Sequence, residues 1–155
     1  MRYLVVFLLL MMLGSCGSDD DICVSGEATP RMKILFKKAS DGKLTRLDRI
    51  IVDADYGSGL TNVVNQISAD SVLVPLKVDR SSYTDLYIRT SASGDTARVR
   101  VNYSGEAQYV SPACGFKKLY REISVDLQKA NPVSATELVQ KEIINEDYVH
   151  LYLLF

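Results

Sequence analysis

Tryptophan is absent from the 155-residue chain, and histidine occurs only once, as His150. The nucleophile motif Gly-x-Ser-x-Gly is also missing, so the sequence offers no recognisable acid–base arrangement for hydrolysis. Basic residues are not in excess, because 18 lysines and arginines are balanced by 19 aspartates and glutamates. This balance lacks the positive charge that nucleic-acid-binding domains use. We therefore predict a protein that is not an enzyme and binds no nucleic acid, with His150 on the surface of a strand.

Metal-binding patterns are weak as well. The segment Asp53-Ala54-Asp55-Tyr56-Gly57 resembles the start of a calcium-binding EF-hand loop. Such a loop needs glycine at its sixth position and glutamate at its twelfth, where this chain has Ser58 and Val64. The segment is therefore interpreted as a polar turn, and we predict no cofactor. An irregular calcium site remains the alternative, formed by Asp48, Asp53 and Asp55.

A long apolar run lies at the N-terminus, at residues 3–13. It is shorter than the roughly 20 apolar residues that a membrane-spanning helix needs. Arg2 supplies a positive charge before the run, and the small residues Gly14 and Ser15 follow it. This order of features is typical of a secretory signal peptide, which we assign to residues 1–15. The alternative is an apolar helix buried in the folded core.

Leu13-Gly14-Ser15-Cys16 resembles the lipobox of bacterial lipoproteins, in which an aliphatic residue and two small residues precede a cysteine. The resemblance implies cleavage before Cys16, diacylation of its thiol and acylation of the new N-terminus. One acyl chain anchors a protein only marginally and two or more anchor it stably, since each buried CH₂ contributes roughly 0.8 kcal/mol. Membrane lipid is therefore an expected partner, through this anchor. Ordinary cleavage, with Cys16 left as a free or disulfide-bonded thiol, is the alternative.

An acidic segment follows the predicted anchor, and residues 16–22 are assigned to it. A run of aspartates has no apolar surface to bury, so we expect a solvated tether. Cysteine followed by Ser18, Asp19, Asp20 and Asp21 also resembles the surface-export signal of Bacteroidetes lipoproteins. That resemblance implies transfer to the outer leaflet of the outer membrane, facing the cell surface. The alternatives are an outer-membrane anchor that faces the periplasm and, less favoured, retention in the inner membrane.

Cysteine is otherwise sparse, and its count predicts one cross-link. If Cys16 carries lipid, only Cys23 and Cys114 remain, 91 positions apart. Exported proteins meet an oxidising environment, so a leftover pair favours a disulfide. In the chain-entropy model, a disulfide that closes a loop of this length stabilises the fold by roughly 4–5 kcal/mol. Two separate buried thiols are the alternative, and a metal site is disfavoured because neither cysteine has another one close to it in sequence.

Alternating apolar and polar residues predict β-strands through most of the mature chain. Removal of residues 1–15 leaves 140, enough for one domain with a genuine core, which we assign to residues 23–155. The strands with the clearest alternation are 32–37, 47–54, 71–78, 83–90, 96–103, 119–127 and 148–155, with a short one at 108–110. About 7–9 mostly antiparallel strands separated by turns indicate an all-β protein with a single β-sandwich, immunoglobulin-like or similar.

Two segments in the first half are harder to assign. Pro75 interrupts the alternation at residues 71–78 and favours an edge strand or a bulge, because proline cannot donate to a strand ladder. Residues 60–67 fit either a helical turn or an irregular crossing.

The C-terminal part is predicted to close the sandwich. Ala130-Asn131-Pro132 breaks the preceding strand, and residues 134–138 fit a helical turn or a loop. Residues 138–144 and 148–155 then form the predicted closing hairpin, around Asn145-Glu146-Asp147.

The register of one hairpin, built from residues 83–90 and 96–103, can be predicted. A one-residue slip in register would move every side chain of a strand to the other face of the sheet. Keeping the apolar residues of both strands on one face therefore leaves two registers that the loop 91–95 can connect. One of them opposes Arg89 and Arg98. Opposed like charges cost about as much as a favourable cross-strand pair contributes, roughly 0.2–1 kcal/mol, so we choose the other register.

The chosen register places Tyr87 opposite Arg98 and Asp85 opposite Arg100. The outward face of the hairpin then carries Tyr83, Asp85, Tyr87, Arg98 and Arg100. Outward tyrosines either cover a sheet face or form a platform for sugars or protein partners. This patch is the candidate binding face of the protein.

Four short motifs give a wider resemblance. They are Asp21-Ile22-Cys23, Thr29-Pro30-Arg31, Asp70-Ser71 leading into Val74-Pro75-Leu76, and Tyr109-Val110-Ser111-Pro112-Ala113-Cys114-Gly115. On these motifs the mature chain resembles a family of small Bacteroidetes lipoproteins of uncharacterised function. The resemblance supports the pairing of Cys23 with Cys114 and implies no activity.

The expected function is that of a non-catalytic outer-membrane lipoprotein, exposed at the cell surface, that binds a partner or serves an outer-membrane complex as an accessory. The expected partner is an outer-membrane protein or a glycan. Two alternatives remain open. One is a structural envelope protein without a soluble ligand, and the other is a small hydrolase, which the missing acid–base arrangement disfavours.

Overall fold

The computed structural model of the protein describes residues 28–112 and 114–155. Within these ranges the chain forms nine β-strands and no helix. The strands are β1 (Met32–Lys37), β2 (Leu47–Asp55), β3 (Leu60–Ala69), β4 (Ser71–Val74), β5 (Tyr83–Arg89), β6 (Ala97–Ser111), β7 (Gly115–Lys129), β8 (Ala135–Leu138) and β9 (Leu151–Leu154). A four-stranded sheet has the order β4-β1-β9-β8, and a five-stranded sheet has the order β3-β2-β5-β6-β7. The predicted all-β sandwich is confirmed.

The two sheets bury one shared apolar core. In β1 the fully buried Met32, Ile34 and Phe36 alternate with partly exposed residues, as predicted for a strand with one buried face. Complete burial of such a side chain contributes about 1.5–3 kcal/mol. The five-stranded sheet supplies alternate residues of β5 and β6 to the same core, namely Leu86, Ile88, Ala97, Val99, Val101 and Tyr103.

The first and last strands are neighbours in the smaller sheet. β1 and β9 run parallel, with Ile34 opposite Leu151 and Phe36 opposite Leu153. Parallel neighbours need a long connection, and here nearly the whole domain lies between them. The other strand pairs are antiparallel. Pairing of β9 between β1 and β8 therefore joins the two ends of the domain in one sheet.

Strand β4 lies at the edge of the smaller sheet, as Pro75 predicts. It pairs with β1 alone, and Pro75 directly follows its last residue. Proline thus ends the pairing without removing a donor from the ladder. Val72 and Val74 are buried as expected, whereas Val78 is exposed because the chain has already left the sheet.

The predicted register of the β5–β6 hairpin is confirmed. Tyr87 lies opposite Arg98, and Asp85 lies opposite Arg100. Arg89 does not face Arg98, and on its other side it lies opposite Ile51 of β2. Opposed arginines are thereby avoided, which is the reason for which this register was chosen.

Residues 60–67, expected as a helical turn or an irregular crossing, belong to strand β3. Pairing with β2 runs from Leu60 opposite Asp55 to Ala69 opposite Leu47, with a register shift between Val52 and Asp53. Most side chains of β3 are exposed, since it is an edge strand that buries few residues. Alternation reveals a strand only where one face is buried, and β3 lacks that signal.

The predicted closing hairpin is wrong in its first strand. Residues 135–138, expected as a helical turn or a loop, form β8 and pair with β9. Residues 139–144 lie partly beside β7, where Ile143 and Tyr120 exchange two backbone hydrogen bonds of 2.8 and 3.2 Å. Ile143 is fully buried there. Its apolar side chain therefore covers an edge of the larger sheet, although it does not belong to a strand.

Strands β6 and β7 are the longest, with 15 residues each, and the short strand predicted at 108–110 is the end of β6. The strands of the smaller sheet have at most six residues. Residues 104–109 of β6 are exposed. We call the paired residues 104–111 and 115–121 the arm, because their β6 side chains are largely exposed, although Leu119 and Tyr120 of β7 are still buried.

The predicted signal peptide (1–15), the acidic tether (16–22) and Cys23 lie outside the described residues. Their assignments therefore stay predictions. Among the residues that the structure does describe, no helix has the length and apolar character needed to cross a membrane.

Candidate functional site

The predicted binding face centres on the carboxylate of Asp85. Arg100 donates two hydrogen bonds to it, from Nε to Oδ1 at 2.8 Å and from Nη2 to Oδ2 at 2.8 Å. Arg98 donates a third, from Nη2 to Oδ2 at 2.7 Å. The register explains this geometry, because Arg100 lies directly opposite Asp85 and Arg98 lies on the diagonal. We call these three residues the Asp85 clamp.

Asp85 faces outward as predicted, yet it is almost completely buried. Its side chain is 3% exposed, whereas those of Arg98 and Arg100 are 38% and 28% exposed. The longer arginine side chains cover the short carboxylate. Asp85 is therefore a positioning group beneath the surface, which corrects its assignment as a contact residue of the binding face.

The clamp keeps its central carboxylate ionised. The hydrogen bonds from Arg100, helped by the hydrogen bond and the charge of Arg98, lower the pKa of Asp85 to about 2, although burial opposes the shift. At neutral pH one negative charge is thus held between two positive charges. The clamp carries a net positive charge on the two arginines, and the exposed Asp126, which lies opposite Arg100 in the β6–β7 ladder, offsets part of it.

Two tyrosine rings lie beside the clamp. The guanidinium group of Arg100 lies 4.1 Å from the ring centre of Tyr83, and that of Arg98 lies 5.6 Å from the ring centre of Tyr87. The Nζ atom of Lys77 lies 5.1 Å from the Tyr83 ring on the same face. Cation–π contacts at exposed sites contribute about 0.5–1 kcal/mol each. Rings and cations thus hold one another in defined orientations.

Other polar contacts extend across the same face of the larger sheet. Arg89 donates a hydrogen bond of 2.5 Å to Asp53, which also accepts one of 2.7 Å from Asn62. On the opposite side of the clamp, Asn102 donates to Asp126 at 2.8 Å. These carboxylates are satisfied within the sheet. The accessible parts of the face are the tyrosine rings, the positive groups of the clamp and the exposed Asp126.

Two of the three aspartates of the possible calcium site, Asp53 and Asp55, have hydrogen-bond partners within the fold. Asp53 is held by Arg89 and Asn62. Asp55 accepts a hydrogen bond of 2.8 Å from the backbone N–H of Gly57 and so stabilises the following turn. Residues 28–112 and 114–155 contain no group of three histidine, cysteine, aspartate or glutamate side chains placed to hold a metal ion.

His150 is buried, contrary to the predicted surface position. Its Nδ1 atom accepts a hydrogen bond of 2.9 Å from the backbone N–H of Lys33. Its own backbone N–H donates to the carbonyl of Lys33 at 3.0 Å. Burial lowers the pKa of His150, so the ring is neutral at pH 7. The prediction failed because strict alternation begins only at Leu151, where β9 starts.

A groove beneath the arm was not found from the sequence. It has a volume of about 590 Å³ and lies between the arm and the loop of residues 78–81. The register shift between Asn102 and Ser104 turns Lys118 and Phe116 toward the side of the sheet that faces the core. The small residues Gly105 and Ala107, two positions apart in β6, were the available sequence signal, since they leave room for the Lys118 side chain.

Two buried tyrosines close the inner end of this groove. The ring centres of Tyr103 and Tyr120 are 4.9 Å apart in an edge-to-face contact. The hydroxyl groups of Tyr103 and Thr84 share a hydrogen bond of 2.7 Å, and the Tyr120 hydroxyl donates to the carbonyls of Leu76 and Lys77 at 3.3 Å each. Burial raises the pKa of Tyr103 to about 12. Both hydroxyl groups therefore remain protonated and fix the chain that follows β4.

Cys114, at the end of the arm, is disulfide-bonded. Its partner lies outside the described residues, so the pairing with Cys23 stays a prediction. Nearby, the backbone N–H of Lys118 donates a hydrogen bond of 2.9 Å to Oγ1 of Thr29. The beginning of the described chain therefore lies against the arm.

The fold and the site define a small all-β sandwich protein whose larger sheet carries a face of tyrosine and arginine. The chain belongs to the family of unknown function DUF6452, whose profile matches residues 33–155. Membership of an uncharacterised family is thereby confirmed. No curated protein and no solved structure matches the chain.

Proposed function

We propose that the protein is a non-catalytic Bacteroidetes lipoprotein of the outer membrane, displayed at the cell surface, whose sandwich binds a protein or a glycan. Lipid attachment is supported by the Cys16 lipobox at the end of the apolar run. Surface display is supported by Ser18 and the aspartates at 19–21 that follow the anchor.

One observation supports the binding role: a buried carboxylate holds two arginines beside two tyrosine rings on an open sheet face. Tyrosine and arginine account for much of the binding energy of protein interfaces. Groups that are fixed before binding lose little conformational entropy when a partner arrives. The partly exposed guanidinium groups of Arg98 and Arg100 offer hydrogen-bond donors that suit carboxylate or phosphate groups of a partner. We propose an acidic protein surface or a glycan bearing carboxylate or phosphate groups.

The binding role is tested by the double change Tyr87→Ala, Arg100→Ala. A matched control is Tyr152→Ala, Lys37→Ala, because Lys37 Nζ lies 3.9 Å from the Tyr152 ring on the smaller sheet. Partners are crosslinked in intact cells, purified with the protein and quantified. The first variant should lose a stoichiometric partner several-fold, and the control should retain it. Equal recovery with the first variant and the wild type would exclude the face as the binding site.

The anchor and its location are tested separately. Mass spectrometry of the mature N-terminus should find an acylated Cys16, and an unmodified cysteine or a different N-terminus would reject the anchor.

Replacement of Asp19, Asp20 and Asp21 by alanine should reduce cleavage of the protein by protease added to whole cells. Replacement of the same residues by glutamate preserves the charge and serves as the control. Unchanged cleavage in the alanine variant would mean that the acidic segment is only a tether and not an export signal.

A structural envelope lipoprotein without a soluble ligand is the second candidate. It is favoured by the pairs Asp53–Arg89 and Asn102–Asp126, which satisfy charges within the sheet without a partner. A deletion strain separates the two candidates through its sensitivity to detergent. The Tyr87→Ala, Arg100→Ala variant and the wild type are each expressed in the deletion strain. If both restore detergent resistance equally, the structural role is supported.

A further inference from the structure

We propose that the end of the arm is a membrane-contacting surface, in which Tyr109 and Phe116 rest among the lipid headgroups of the bilayer that holds the anchor. This inference rests on the proposed acylation of Cys16. It deepens that proposal, because it assigns the end of the domain that faces the lipid surface.

The end of the arm exposes large apolar side chains. Phe116 is 70% exposed, Tyr109 is 56% exposed and Val78, on the loop beside them, is 68% exposed. Tyr109 and Phe116 lie opposite each other in the β6–β7 ladder, with ring centres 5.4 Å apart. Aromatic side chains, above all tyrosine with its polar tip, are favoured at the interface between lipid and water.

Basic groups accompany these apolar side chains. Arg80, Lys117 and Lys118 line the groove together with Val78 and Phe116. Lys118 Nζ donates a hydrogen bond of 2.6 Å to the carbonyl of Asp79, and burial lowers its pKa. The exposed Arg80 and the neighbouring Lys117 supply the positive charge. A lysine or arginine near an anionic lipid surface contributes about 1 kcal/mol, so the chemistry matches phosphate-bearing headgroups.

The length of the tether limits how far this surface can lie from the bilayer. Cys114 lies at the end of the arm, and Cys23, its proposed disulfide partner, is seven positions from Cys16. An extended chain covers at most about 3.6 Å per residue, so this tether reaches roughly 25 Å. The 15 residues of β7 span roughly 50 Å at about 3.3 Å each. The tether therefore keeps the end of the arm within roughly 25 Å of the bilayer, about half the length of β7, whatever the tilt of the domain.

The opposite end of the domain offers a matched comparison. Ile67 is 70% exposed, as Phe116 is. Ile67 lies opposite Arg49, near the start of β2. The end of β2 lies beside the clamp, where the arm begins. Exposure is thus equal at the two positions, which lie at opposite ends of the sheet.

The absence of tryptophan makes the test direct, because a single introduced tryptophan is the sole indole reporter. Full-length lipidated Phe116→Trp and Ile67→Trp variants are reconstituted into vesicles of phosphatidylethanolamine and phosphatidylglycerol with brominated acyl chains. The Phe116→Trp variant should show blue-shifted emission and several-fold stronger quenching than the Ile67→Trp variant. Equal quenching of the two variants would overturn the inference.

Flotation of the vesicles separates this inference from the proposed anchor. Protein that floats with the vesicles but shows no preferential quenching at position 116 would overturn the membrane-contacting arm and leave the anchor standing. Protein that does not float, with an unmodified Cys16 by mass spectrometry, would overturn the anchor and the inference together.

Discussion

Arg100 holds the carboxylate of Asp85 with two hydrogen bonds of 2.8 Å across the β5–β6 ladder. Bidentate pairing of this kind is among the strongest hydrogen-bonding arrangements of charged side chains. With Arg98 as a second donor, it turns an outward aspartate into a buried support for two exposed arginines. The stability of the hairpin and the shape of the binding face therefore depend on one carboxylate.

Replacement of Asp85 by asparagine should lower the free energy of unfolding by about 2–3 kcal/mol. The change leaves two neighbouring arginines without their shared counter-charge, and hydrogen bonds to charged groups contribute about 1.5–3 kcal/mol. Urea unfolding at pH 7 measures the effect. Asp126→Asn is the control, since Asp126 is exposed and its loss should cost less than about 1 kcal/mol. Equal effects of the two changes would contradict the central role of the clamp.

The contribution of Asp85 should also disappear in acid. Its pKa of about 2 in the folded protein lies below the value of about 3.9 expected in the unfolded chain. The folded state therefore binds fewer protons, and the stabilisation is present above about pH 4 and lost as the pH falls toward about 2. The difference in unfolding free energy between wild type and Asp85→Asn should shrink across this window. A difference that stays constant down to pH 2 would show that the carboxylate is not held as described.

His150 should titrate below its ordinary pKa. It is the only histidine, so its ring protons can be followed by NMR in untagged protein without ambiguity. Burial favours the neutral ring in the folded state, which means that stability falls as the pH drops below about 6.5. His150→Gln should remove this part of the pH dependence. A measured pKa at or above 6.5 would contradict the enclosed, hydrogen-bonded ring.

Oxidation should join Cys114 to Cys23. Peptide mapping of the unreduced protein should find this cross-linked pair, and thiol reagents should label neither cysteine. Reduction should lower the free energy of unfolding by up to roughly 4–5 kcal/mol, the chain-entropy estimate for a loop of this length. The Cys114→Ser variant should show a similar loss and no further effect of reductant. Labelling of both cysteines before reduction would exclude the bond.

The sequence predicts those parts of the fold whose strands have one buried face. β1 and the first half of β6 show strict alternation, and their buried residues match the prediction. In β5, Leu86 and Ile88 are buried as predicted, but Asp85 is buried as well. The register of β5 and β6 could be predicted because the alternative register would place the like charges of Arg89 and Arg98 directly opposite each other. The same register brings Asp85 to both arginines, so the composition of the candidate face was predictable as well.

The remaining elements depend on contacts that alternation does not report. β3 is an exposed edge strand, and Ile143 is buried by pairing with Tyr120 outside any strand. The burial of Asp85 follows from the lengths of the two arginines above it, which only the folded geometry reveals. The ring of His150 is enclosed through its hydrogen bond with Lys33, a residue 117 positions away.

The binding role of the tyrosine–arginine face is tested most directly by photocrosslinking in intact cells. Tyr87 is replaced by benzoylphenylalanine, and the same replacement at the partly buried Tyr152 of the smaller sheet is the control. Irradiation should give one discrete adduct from position 87, which Arg100→Ala should abolish, and should not give that adduct from position 152. The same adducts from both positions, or none from position 87, would contradict recognition by this face.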